Sequence, residues 1–120
     1  MDKKSLVNSI QVEERLIDAI QAIKENQNRC IIVKSKEKVV GVISEGDIMR
    51  ALLQGVDIHS PMQNWISHDF KFLSSLDYQQ ALDLMSKHGI SMIPILDKNF
   101  LLLDVITLVD LLQRVILKKN

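Results

Sequence analysis

Apolar positions along the chain change their spacing at several points, and each change marks an element. From Glu13 to Asn26 the residues Leu16, Ile17, Ala19, Ile20 and Ile23 share one stripe, with Glu14, Asp18, Gln21 and Glu25 opposite. That spacing predicts an amphipathic helix over 13–26, closed by Asn26-Gln27-Asn28. Ahead of it a polar arm over 1–5 leads to Val7, Ile10 and Val12 among polar neighbours, which predicts a short strand over 6–12. Two apolar runs follow, Cys30 to Val33 and Val39 to Ile43, and the charged segment Lys34-Ser35-Lys36-Glu37-Lys38 between them predicts a hairpin. Beyond Ile43 the period changes again: Ile48, Ala51 and Leu52 predict a helix over 45–54 that ends at Gly55.

From Val56 to His68 the periodicity fades, and Pro61 forbids a continuous helix, so these residues read as a connection with Trp65 as its packing anchor. Phe70 to Leu73 predicts a short strand. Leu76 to His88 predicts a helix through Ala81, Leu82 and Met85, ended by Gly89. Met92 to Leu96 and Phe100 to Ile106 predict two strands around the turn Asp97-Lys98-Asn99, and Leu108 to Leu117 predicts a last helix.

The order strand, helix, strand, strand, helix therefore occurs twice. Ala19 and Ala81 are 62 residues apart, as are Ile31 and Ile93, whereas Ser44 and Thr107 are 63 apart. The second copy carries one extra residue, in or near its hairpin. An α/β (α+β) fold follows, made of two β-α-β-β-α repeats over 6–55 and 69–117 joined by 56–68. Units of ~60 residues are marginal alone, so the two are expected to pack into one compact module with pseudo-two-fold symmetry.

The polar switch after each second hairpin strand carries the candidate chemistry. Ser44 is a natural helix N-cap, and Asp47 stands three residues later, where the helix dipole favours a carboxylate. Such a helix start exposes amide N–H groups able to hold a phosphate, and a nearby carboxylate can accept hydrogen bonds from sugar hydroxyls. It also serves simply as a cap. Thr107 and Asp110 repeat both residues at the same offset, 107 − 44 = 110 − 47 = 63. Gly41 precedes the first switch and leaves room for close approach, whereas Asp104 stands at the matching place in the second. One working site, two sites or none are all compatible with that difference. Arg29 and Arg50 flank the first switch, in reach of a phosphate or of an ion-pair partner.

Composition narrows the function classes. With 47% hydrophobic and 25% charged residues the chain has the balance of a globular domain, and 15 basic residues against 15 acidic ones leave no net charge. No long-range basic field draws in a nucleic acid. The single cysteine, Cys30, excludes an internal disulfide and reads as a small buried residue. His59, His68 and His88 lack metal-ligand spacing, and no nucleophile-base motif supports catalysis. With no signal-peptide core and no apolar run near ~20 residues, a cytoplasmic protein off the membrane is expected.

The residues of both repeats resemble a tandem pair of CBS domains, a Bateman module, from Leu6 to Leu117. The resemblance is carried by Leu16-Ile17-Asp18-Ala19-Ile20, Gln80-Ala81-Leu82-Asp83-Leu84-Met85 and Ser91-Met92-Ile93-Pro94-Ile95. Two switch segments complete it: Gly41-Val42-Ile43-Ser44-Glu45-Gly46-Asp47 and Val105-Ile106-Thr107-Leu108-Val109-Asp110. It implies a regulatory module without catalytic activity that binds AMP, ADP, ATP or S-adenosylmethionine between the repeats. Asp47 and Asp110 would hold ribose hydroxyls, Ser44 and Thr107 would face phosphate, and an apolar slot near Met92, Ile93 and Pro94 would take the base. It also implies a homodimer and a catalytic domain in the same or another chain. Glu45 to Gly55 is similar to the CBS pairs ahead of sugar-phosphate nucleotidyltransferases, so the chain is expected to be either such an enzyme's regulatory part or a free-standing module. A module that has lost its ligand and serves only for dimerisation is the alternative.

Overall fold

The computed structural model describes residues 9–26 and 28–119. Residues 1–8, and with them the arm and the start of the first strand, lie outside the described residues, as do Gln27 and Asn120. The first repeat comprises strand β1 (Ser9–Gln11), helix α1 (Leu16–Asn26), strands β2 (Cys30–Ser35) and β3 (Lys38–Ser44), and helix α2 (Glu45–Leu53). The second comprises helix α3 (Tyr78–His88), strands β4 (Met92–Leu96) and β5 (Leu102–Thr107), and helix α4 (Leu108–Lys119). A 3-10 turn over Gln63–Trp65 lies in the connection.

β1 pairs parallel with β2, and β2 antiparallel with β3, in a three-stranded sheet; β4 and β5 form a two-stranded antiparallel sheet. Both hairpins shift register at matching places, between Val33 and Lys34 and between Ile95 and Leu96. Lys34 pairs with Val39 and Leu96 with Leu102, so 35–38 closes the first turn and the five residues 97–101 close the second. The extra residue of the second repeat sits in that turn, which Asp97 organises by accepting the amide N–H groups of Asn99 and Leu101.

Side chains alternate across the strands and divide the interior in three. Ile31, Val33 and Ile43 face α1 and α2 in one core, and Ile93, Ile95 and Ile106 face α3 and α4 in a second. The opposite strand faces, with Ile32, Val39, Met92, Leu96 and Val105, meet in a core shared by both sheets. β2 and β4 are buried on both faces, which is why they read as unbroken apolar runs. Trp65 packs against the first core together with the buried Met62 and Ile66, so the connection completes that repeat.

Beyond shifts of one or two residues at the ends of the last strand and the other helices, three differences from the pattern read along the sequence have a local reason. α1 begins at Leu16 rather than Glu13. Arg15 bridges to Pro61, its amide donates to the Asp18 carboxylate at 2.9 Å, and the Leu16 and Ile17 amides donate to the Ser60 and Ile58 carbonyls. The connection therefore occupies the free end of the helix. That amide bond from Arg15 also holds the half-buried Asp18 carboxyl below its usual range. Phe70 to Leu73 forms no strand: only Leu73 bridges Ile95, in the parallel sense that β1 adopts towards β2. α3 starts at Tyr78 rather than Leu76, because Asp77 caps it by accepting the Gln80 amide at 3.0 Å.

Candidate functional site

The two polar switches fold alike. Ser44 is extended at φ −113° and caps α2: its hydroxyl accepts the Asp47 amide at 3.2 Å, while the Asp47 carboxylate accepts the Ser44 amide at 2.8 Å. Asp110 accepts the Thr107 amide and Thr107 Oγ1 the Asp110 amide, both at 3.1 Å. A reciprocal cap of this kind satisfies two otherwise orphaned donors at a helix start. The next amide is used in both copies as well, Glu45 donating to the Arg29 carbonyl at 2.9 Å and Leu108 to the Ser91 carbonyl at 2.8 Å. The pseudo-symmetry thus extends to individual hydrogen bonds.

The surroundings of the two carboxylates differ. Asp47 is 7% exposed; its Oδ2 is held by Ser44 and its Oδ1 is ion-paired with the Arg50 guanidinium, whose side chain is 63% exposed. At the position matching Arg50 stands Gln113. The second repeat's cation is one residue later, Arg114, and it lies 3.9 Å over the ring of Tyr78. Tyr78 and Arg114 match Leu16 and Ala51, both fully buried in the first core. That break in the repeat was the available sign of a different role, and it was not read from the sequence. Tyr78, Arg114, Leu76, Asp104, Asp110 and Gln113 line a cavity of about 220 Å³.

A larger cleft of about 750 Å³ lies between the repeats. Arg29, Ser44, Glu45 and Gly46 form one wall, and Leu82, Met85, Ser91 and Leu108 the other. The structure therefore brings Arg29 and Ser44 together on one surface, while Asp47 turns towards Ser44 and Arg50. Arg29 is largely exposed and pairs with Glu45 at 3.1 Å, so its charge is already balanced by a residue not counted among the candidates. Cys30 borders the same cleft. Burial, with the Asp47 charge adding to it, pushes its thiol up to about 11.

Gly41 and the strand Met92-Ile93-Pro94 need correction. A Cβ on Gly41 would stand 2.5 Å from Ile66 Cγ2 and 2.6 Å from the Ser67 carbonyl oxygen. Val42 and Ser67 exchange both backbone hydrogen bonds there, at 2.9 and 2.8 Å. The missing side chain admits the connection's backbone and leaves no open approach for a ligand. Met92 is 4% exposed and Ile93 fully buried, as is Pro94, because the strand is enclosed by the shared core on one face and by α3 and α4 on the other. These side chains are packing residues in this conformation. Asp104, by contrast, borders the 220 Å³ cavity and accepts the amide of its neighbour Val105 at 2.7 Å.

Two similar α/β units, joined back to back through their sheets and capped alike, define a tandem-repeat module. The family model of the CBS domain matches residues 3–54 and 67–117, and the chain belongs to that family. A 17.7 kDa protein of Acidianus ambivalens is 31% identical over 98 residues, covering 80% of this chain. A Helicobacter pylori protein is 31% identical over 99 residues, again covering 80%. The chain spans 59% of the first relative's length and 30% of the second's. Among solved structures, a CBS domain protein from Pyrobaculum aerophilum complexed with AMP superposes with a TM-score of 0.77 at 22% identity, over 98% of this chain and 97% of that one. No helix among the described residues is long and apolar enough to cross a membrane.

Proposed function

We propose that this CBS pair is a cytoplasmic sensor of an adenine nucleotide that regulates a catalytic domain in the same chain or in another. The observation that carries the reading is the reciprocal Ser44/Asp47 cap with its copy Thr107/Asp110, together with an inter-repeat cleft of about 750 Å³ that Ser44 and Leu108 border. That volume is in the range of small-molecule sites. The fold shared with an AMP-complexed CBS protein supports the ligand class. In this reading Asp47 and Asp110 hold ribose hydroxyls, Ser44 and Thr107 face phosphate, and Arg29 contributes charge once released from Glu45. AMP, ADP, ATP and S-adenosylmethionine are the candidates. Signalling follows from unequal affinity for two packings of the repeats, since a ligand shifts an equilibrium only by that difference. The similarity of Glu45 to Gly55 to CBS pairs preceding nucleotidyltransferases makes such an enzyme the first partner to test.

A second reading, pairing without a ligand, is favoured by the ion pair that covers Asp47 and by the outer helices. Met49, Leu53, Val109, Leu112 and Ile116 are all more than half exposed. Contiguous exposed apolar residues mark association surfaces. A homodimer through them is expected under both readings, and a monomeric mass by light scattering at micromolar concentration would count against it. Calorimetric titration and thermal unfolding with AMP, ATP and S-adenosylmethionine separate the two readings. A ligand at a hundred times its dissociation constant adds about 2.7 kcal/mol of stability. Absence of heat and of any shift at millimolar ligand removes the sensor reading.

A further inference from the structure

The ion pair on Asp47 is more than a cover. We infer that Arg50 is a latch that decides between nucleoside and nucleotide: it holds Asp47 while the site is empty and exchanges onto phosphate when a ribose takes its place. This rests on the nucleotide reading of the same site.

Three observations lead to it. Asp47 Oδ2 is occupied by the Ser44 amide and hydroxyl, at 2.8 and 3.0 Å, so a sugar hydroxyl can reach the carboxylate only through Oδ1. Oδ1 is the atom Arg50 holds. No burial opposes the departure of Arg50, since its side chain is 63% exposed and its only ion pair among the described residues is this one. Its destination is close. A Cβ placed on Gly46 would be 3.6 Å from Arg50 Nη1 and 3.7 Å from Ser44 Oγ, so the guanidinium and the capping hydroxyl flank the same point on the first turn of α2. A phosphate facing Ser44 is within reach of the released guanidinium, which binds phosphate oxygens through paired N–H donors.

Binding a nucleoside then breaks an ion pair without replacing it, while binding a nucleotide exchanges one ion pair for another. Selectivity for the phosphorylated ligand arises from Arg50. In the second repeat Gln113 stands at the place matching Arg50, and Arg114 lies on the ring of Tyr78.

The test compares adenosine and AMP by calorimetric titration of the wild-type chain, Arg50→Gln and Asp47→Asn, with thermal unfolding to verify that each variant folds. Arg50→Gln copies the residue of the second repeat at an exposed position. The expected result is at least tenfold weaker AMP binding in Arg50→Gln, unchanged or tighter adenosine binding, and loss of both ligands in Asp47→Asn. Equal changes for the two ligands in Arg50→Gln would overturn the latch while leaving the nucleotide reading in place, provided Asp47→Asn abolishes binding. A wild-type chain that binds neither ligand overturns both.

Discussion

The two repeats share a backbone plan and divide at the groups that surround their carboxylates. Around Asp47 the protein has closed in, with the connection's backbone over Gly41 and Arg50 on the carboxylate. Around Asp110 it has kept a cavity of about 220 Å³, bordered by the Asp104 carboxylate and the Arg114 stack on Tyr78. From sequence the order is reversed: Gly41 promises room in the first repeat, and Asp104 promises obstruction in the second. A glycine marks a close approach without naming what approaches. Here the approaching group is Ser67 of the same chain. In the structure the space beside Gly41 is taken by the Ser67 backbone, and open volume lies beside Asp104 instead.

Substitutions can break or sharpen this comparison. The largest effect is expected where the repeats are joined. Ile32 is fully buried in the core shared by both sheets, and Ile32→Ala should cost about 3 kcal/mol by urea denaturation while both repeats still unfold in a single transition. Two separated transitions would show that the halves are independent.

Next comes the closed site. Gly41→Ala forces a methyl into the backbone of Ser67 and should cost about 2 kcal/mol, whereas Asp104→Ala at the matching place should change stability by less than about 1 kcal/mol. Equal costs would mean that the connection yields and that Gly41 is not needed for packing.

The caps, which the two repeats share, should respond alike. Ser44→Ala and Thr107→Ala should each cost about 1 kcal/mol, read from the denaturation midpoint, because each leaves a helix amide without its side-chain acceptor. A loss confined to one variant would sink the equivalence of the two switches.

The smallest effect concerns Cys30, whose counterpart is Met92. Its thiol is raised from 9.0 to about 11, so the folded protein holds the proton more tightly than the unfolded chain does. The stability from that preference is complete below pH 9 and is lost as the pH rises towards 11. The denaturation midpoint of the wild type should therefore fall more between pH 8 and pH 10 than that of Cys30→Ala. Alkylation of native Cys30 should also be slower at pH 8 than that of a free thiol. A parallel fall in both proteins would remove the burial argument.

Most of the architecture was legible because it rests on periods local to each element. Alternation and helical stripes located four helices and the two hairpins, and the offsets of 62 and 63 placed the second copy's extra residue in or near its hairpin. Ser44 and Asp47 were legible as a cap for the same reason, since capping involves residues three positions apart. Where a boundary depended on a distant strand or loop, sequence reasoning overshot. Glu13 to Arg15 could extend a helix by pattern, but Pro61, Ser60 and Ile58 claim that end.

By itself, then, the sequence determined the duplicated helix-hairpin-helix plan, the family, and the residues that cap the helix after each hairpin, because local spacing and internal repetition encode them. Only the tertiary structure decided what fills the space beside Gly41, which residue occupies Asp47, and that Met92, Ile93 and Pro94 lie within the packed interior. Those contacts join positions up to about sixty residues apart. They depend on how two sheets and a connecting segment share volume, which no local spacing records.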